Sequence, residues 1–149
     1  MPLRMPEQFE KEGSKVFVRA APNRESARGW IRIAQRLIRD AANVSVSNET
    51  RLSAAYDAML NFALVVVTAH GYRTTSAEGH HAQTLESACA LIGASSGLFN
   101  RIDAVRDVRN DKYAGIEIEA EDVAVAIVAL NEFAPLAAEW LKAKHTGFP

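Results

Sequence analysis

The segment "NETRLSAAYDAMLNFALVVVTAH", from Asn48 to His70, restricts the fold more than any other, because its second half is apolar on nearly every side. A helix with one apolar stripe can rest on a surface, but a helix that is apolar all round has to be enclosed by other elements. Ser47 or Asn48 supplies a cap at its start, and Gly71 stands just past its end, where a glycine suits a left-handed termination. The remaining sequence must therefore supply the helices that surround it.

Four further segments carry the 3.6-residue period. The first, "RESARGWIRIAQRLIRDAA", follows Asn23 as cap and repeats Ala27, Trp30, Ile31, Ala34, Leu37, Ile38 and Ala41. Another is expected from about Glu78 to Ile92, with Ser76 as cap and Gly93 as stop. The next starts after Ser95 and Ser96 and reaches at least Asn110. The last follows the acidic run "EIEAED", whose carboxylates favour the positive end of a helix, and continues through Val123, Ile127, Leu130, Phe133, Ala137 and Leu141. Pro135 falls inside that last helix and is expected to bend it rather than end it. Residues 1–22 hold little periodicity and read as an N-terminal arm or tail, leaving residues 23–145 as one domain. No strand, repeat or low-complexity tract stands out. The expectation is an all-α, antiparallel up-and-down bundle of about five helices.

Composition narrows the function classes. A chain of 149 residues with 48% hydrophobic and 23% charged residues can bury a core without staples. The single cysteine, Cys89, forms neither an internal disulfide nor a zinc cluster, sits at helical spacing with Leu85 and Ile92 as a small core residue, and fits a reducing, cytoplasmic setting. The longest unbroken apolar run, Phe62 to Ala69, is much shorter than the ~20 residues of a membrane span, and no secretory signal is visible, so no membrane partner is expected. Net charge is -1, which argues against coating nucleic acid by bulk electrostatics. Its distribution is uneven: residues 1–51 hold ten basic and six acidic groups, the remainder seven and twelve. Much of the basic excess lies on the first long helix, where Arg24, Arg28, Arg32, Arg36 and Arg39 share the outer face. They form either a solvated surface or a track for a phosphate backbone, with Arg28, Arg32 and Arg36 its centre.

The densest polar stretch is "AVRDVRNDKYAG", Ala104 to Gly115. On a helical wheel Leu98, Ile102 and Val105 set the inward line, and Arg109 falls on it; Tyr113 lies roughly 60° and Arg106 roughly 80° from Leu98. Asp103, Asp107 and Asp111 take the solvent side. A charge at a core-facing position is costly unless it is paired or reaches a wet cavity. Arg109 therefore either reaches a carboxylate such as Asp57 or Glu86, or joins Arg106, Asn110 and Tyr113 in a small polar site for a phosphate or ribose edge. His80 and His81, in "GHH", are either an ordinary helix start or candidates for proton transfer, with His70 a weaker one. Adjacent histidines on a helix point about 100° apart, and no Glu-x-x-His pair accompanies them, so neither a metal site nor a cofactor is expected.

From Arg51 to Leu141 the chain resembles HEPN domains. The resemblance rests on "RLSAAYDAMLNFA" with "GYR" at Gly71 to Arg73, on "GHH", and on "VRDVRNDKYAG" followed by "EDVAVAIVALNEF". It implies a helical bundle, usually a homodimer whose polar motifs meet in one cleft, and it implies RNA: many members are metal-independent ribonucleases, including toxins paired with nucleotidyltransferase-type antitoxins. Their signature is an arginine, often followed by asparagine, with a histidine a few residues beyond. Arg109 and Asn110 keep the first part, whereas Ala114 stands in the histidine's register with Tyr113 just before it; counted from Arg106, Tyr113 takes the widest allowed spacing. The expected function is RNA or nucleotide-phosphate binding, with a metal-independent endoribonuclease using Arg106, Arg109, Asn110 and Tyr113. The rival is a non-catalytic helical interaction module, an adaptor or antitoxin-side partner, in which those side chains satisfy one another.

Overall fold

The computed structural model describes residues 2–145 and shows an all-α antiparallel bundle joined by one short ribbon. The helices are α1 (Pro6–Lys11), α2 (Arg24–Ala42), α3 (Asn48–Ala69), α4 (His80–Ile92), α5 (Ser96–Asp111) and α6 (Ala120–Lys144). A single 3₁₀ turn, Lys112–Ala114, follows α5. As its all-round apolarity requires, α3 is central, with Leu52, Tyr56, Met59 and Val66 buried in the main core beside Leu85, Leu98, Ile102, Val123 and Phe133.

Side chains set how the helices approach. The buried residues of α2 are Ala27, Ala34 and Ala41, seven apart, so it lies close along the length of α3, with Ala34 and Ala41 in the main core and Ala27 beside Val65 and Ala69. Trp30, Ile31, Leu37 and Ile38 are consequently half-buried at the flanks rather than at the centre of the contact. Caps fall largely where expected: Asn23 accepts from Ser26 N at 2.9 Å, Ser47 from Thr50 N at 3.1 Å, and Ser95 from Leu98 N at 3.0 Å. The start of α4 differs. Gly79, at φ +80°, is the cap, and the helix begins at His80 instead of near Glu78. That left-handed turn is open to glycine and strained for other residues. At Pro135 α6 does not end, and it runs on to Lys144.

Residues 2–22 hold more structure than an arm or tail. A strand β1 (Phe17–Arg19) pairs antiparallel with β2 (Tyr72–Thr74), Val18 opposite Arg73. Gly71, at φ +93°, turns the chain out of α3 into β2, and its carbonyl accepts from Ala20 N at 2.9 Å. Phe9, Val16 and Phe17 bury against Val67 and Tyr72 in a second small core. Arg4 reaches across to Glu86 on α4 through its backbone N and its guanidinium, at 2.8 to 3.1 Å. Strands of three residues carry no readable period, and each exists only because the other pairs with it. By length and composition α3 and α6 could each cross a membrane, a property that the unbroken-run criterion missed; 72% of the apolar stretch of α3 is buried inside the bundle, against 33% for α6.

Candidate functional site

Leu98, Ile102 and Val105 seat α5 against the core, and the same line delivers Arg109 to the edge of the bundle with its side chain 21% exposed. Opposite stands the first turn of α4. Together they enclose an open cavity of about 190 Å³ lined by His80, His81, Arg106, Arg109 and Asn110. Five of the residues that sequence singled out thus meet in one place, from two helices whose sequences are unrelated.

Arg109 is incompletely partnered. Of the two carboxylates weighed for it, Glu86 is taken by Arg4, and Asp57 on α3 lies 3.8 Å from Nη2, beyond hydrogen-bond length. Its Nε–H is buried and has no partner. The guanidinium carbon stands 5.1 Å from the ring centre of Tyr56, a cation–π contact. Arg106 is held more firmly: Nε donates to Asp103 at 3.0 Å and Nη2 lies 3.6 Å from Asp107. The hydrogen bond to Asp103 raises its pKa further above the ordinary arginine range. Two of the three aspartates assigned to solvent thus also steady this arginine.

The histidines differ from each other. His80 Nδ1 lies 3.0 Å from the carbonyl of Ala77. A carbonyl only accepts, so the bond selects the Nδ1–H form and leaves Nε2 as the basic atom of the neutral ring. The His81 ring lies 4.1 Å from that of His80 and 6.5 Å from Tyr56. Burial, then the neighbouring His80 and Arg109, lower the pKa of His81 below its ordinary 6.5. It is therefore a neutral imidazole at neutral pH, able to accept a proton beside two fixed positive charges. Tyr56 was not legible as a site residue; its signal was one large hydroxyl-bearing side chain in the small-residue run "SAAYDA". Its hydroxyl is buried with no partner, and burial raises its pKa.

The remaining candidates lie elsewhere. Tyr113 is on the 3₁₀ turn, 74% exposed, with the Lys112 ammonium 5.4 Å from its ring centre, and it does not line the cavity. The turn breaks the helical register that the wheel extended to it. Arg28, Arg32 and Arg36 stand exposed on α2 and make no ion pair among the described residues. His70 is bound by the carboxylate of Glu7, 2.9 Å away. Larger clefts exist, one of about 560 Å³ beside Arg4 and Glu86, but there the ionic groups neutralise each other. No group of three or more His, Cys, Asp or Glu placed to hold a metal occurs among the described residues. What the α4–α5 cavity offers is positive charge for an oxyanion and two imidazoles for proton transfer. Protein-family models, curated proteins and solved structures were compared with the chain, and none of them matches it.

Proposed function

We propose that this chain is a HEPN-like RNA-binding protein whose α4–α5 cavity holds one phosphate of the strand and cleaves beside it without a metal. One observation carries the reading: two histidines and two arginines from different helices line a single open cavity. Cleavage by the strand's own 2'-hydroxyl needs a base for that proton, an acid for the leaving oxygen and charge for the phosphorane. His81, neutral near pH 7, takes the 2'-proton; the 2'-oxygen attacks phosphorus and the bond to the 5'-oxygen breaks. His80, once protonated, returns a proton to that 5'-oxygen, and the products are a 2',3'-cyclic phosphate and a 5'-hydroxyl. Arg106 and Arg109 carry the phosphorane charge, and Asn110 orients the ribose or phosphate. Tyr113, too far out on its turn, takes no part in this scheme.

A phosphate backbone would also find a separate track on the outer face of α2, where Arg28, Arg32 and Arg36 repeat about every 6 Å along the axis, the rise of four residues. Replacing Arg28 and Arg32 together by glutamine should then flatten the log–log salt dependence of RNA affinity by about 1.4, two contacts at single-strand weight. The chemistry is tested by incubating the protein with mixed RNA in chelator and analysing ends. The proposal expects cyclic phosphates from wild type and none from His81→Asn or Arg109→Met; cleavage by all three, or by none, removes the ribonuclease. One observation favours the interaction-module reading, namely that Arg106 is already held by Asp103 and Asp107. That reading expects no cleavage and no loss of RNA affinity in either variant.

A further inference from the structure

A second cleft, of about 290 Å³, lies where the first turns of α2, the last turns of α3 and strand β2 meet, and it is more enclosed than the α4–α5 cavity. Its walls are largely carbon: the half-buried Trp30 and Leu64, the buried Val67, and Ala20 and Ala21, whose small side chains leave the space open. Polar groups with unspent donors break that surface. Thr68 is 5% exposed; its oxygen accepts from Asn23 N at 2.9 Å, while its O–H donates to no group among the described residues. Arg73, on β2, lines the cleft and is exposed; its guanidinium makes no ion pair or hydrogen bond among the described residues, and no described carboxylate lines the cleft. Arg4, Arg19, Arg101 and Arg106, by contrast, each hold a carboxylate. The Trp30 indole N–H also lacks an acceptor among the described residues.

We infer that this cleft is a binding site for a small aromatic monocarboxylate, its ring against Trp30, Leu64 and Val67 and its acid group on Arg73. The volume stands at the lower limit of ligand pockets, which suits one or two rings rather than a larger molecule. An aromatic wall beside aliphatic carbons favours a ring over a polar chain. The charge selects the other half of the ligand. A cation is repelled by Arg73, and a neutral ligand that displaced water would leave the Thr68 and Arg73 donors without acceptors. A carboxylate supplies two oxygens in the geometry that a guanidinium grips with two parallel hydrogen bonds. Its single charge matches the single guanidinium, whereas a phosphate monoester would bring a second charge to apolar walls that offer it nothing. Asn23, the cap of α2, also lines the cleft, so the positive end of that helix adds to the preference for an anion. The α4–α5 cavity plays no part in this inference, which stands or falls separately from the phosphate reading.

The test is NMR observation of the Trp30 indole N–H in the full chain, titrated separately with phenylacetate, with its neutral amide phenylacetamide and with adenosine 3'-monophosphate. Trp140, the other tryptophan, does not line the cleft and serves as the internal control, its resonance assigned with Trp140→Phe. Phenylacetate should move the Trp30 signal saturably and leave the His80 and His81 rings in place. Arg73→Gln, an exposed change that leaves the helical circular dichroism intact, should weaken phenylacetate by about tenfold, the worth of one charged hydrogen bond. Phenylacetamide should bind wild type about tenfold more weakly than the acid and be indifferent to Arg73→Gln. A Trp30 signal that does not move at millimolar phenylacetate overturns the inference, as does equal binding of acid and amide, or acid binding that survives Arg73→Gln. Shifts confined to the histidine rings place the anion in the α4–α5 cavity and overturn it too. Tighter binding of adenosine 3'-monophosphate than of phenylacetate at Trp30 assigns the cleft to a nucleotide and sinks the carboxylate.

Discussion

Replacing Arg109 by methionine separates a binding arginine from a structural one, because the opposing contributions at this side chain nearly cancel. Methionine keeps the aliphatic stem that packs at the bundle edge. The substitution loses a cation–π contact to Tyr56 at 5.1 Å, about 0.5–2 kcal/mol at a partly desolvated site. It also loses an ion pair to Asp57 at 3.8 Å, with side chains 21% and 38% exposed, about 0.2–1 kcal/mol. Against these, it removes a buried Nε–H without a partner, a group whose burial costs about 1–3 kcal/mol. The sum lies near zero, so stability in urea should change by less than about 1.5 kcal/mol. A phosphate loses charged hydrogen bonds worth about 1.5–3 kcal/mol, so affinity for a nucleoside monophosphate should fall by about 10- to 150-fold. Equilibrium unfolding and calorimetric titration on the same preparations read both quantities. A loss of 3–5 kcal/mol in stability with unchanged affinity is what breaking a buried ion pair produces. That result would refute the reasoning.

The lowered pKa of His81 has a consequence for stability. Its folded value lies below the unfolded 6.5, so between the two the unfolded chain binds more protons; stability is complete above pH 6.5 and falls as pH drops through that window. His81→Asn should flatten this slope, and a wild-type slope unchanged by the substitution would remove the half-buried, neutral imidazole. Tyr56→Phe deletes a hydroxyl that is buried without a partner and should raise stability by about 1 kcal/mol, measured by thermal unfolding; a loss of that size would mean the hydroxyl is satisfied. Cys89, fully buried and with its thiol pushed up to about 12, should react with a disulfide reagent only as fast as the protein opens, whereas rapid native-state labelling would contradict its place in the core.

Sequence was informative wherever a long period or a cap chemistry governed the outcome. The all-round apolarity of the Asn48–Ala69 segment placed it at the centre, and Asn23, Ser47 and Ser95 marked helix starts because their oxygens meet orphan backbone N–H groups. It was silent on β1 and β2, three residues each, whose pairing depends on a contact between the N-terminal segment and the end of α3. At the site, the wheel put Arg109 correctly at the edge of the core, since α5 stays regular through Asp111. It failed one turn later, where the chain tightens into a 3₁₀ turn and carries Tyr113 outward. The meeting of α4's histidines with α5's arginines is tertiary, and no spacing within either helix reports it. Tyr56 stayed hidden for the same reason: its neighbours in space are on α4 and α5, not on its own helix.

The most direct test of the cavity's role is NMR observation of the His80 and His81 imidazoles during titration with a nucleoside 3'-monophosphate. Anion binding between Arg106, Arg109 and the rings should move both sets of resonances saturably and raise the pKa of His81, and the shifts should be lost in Arg109→Met. Resonances that stay in place at high nucleotide concentration, or that move equally in the variant, would contradict the account.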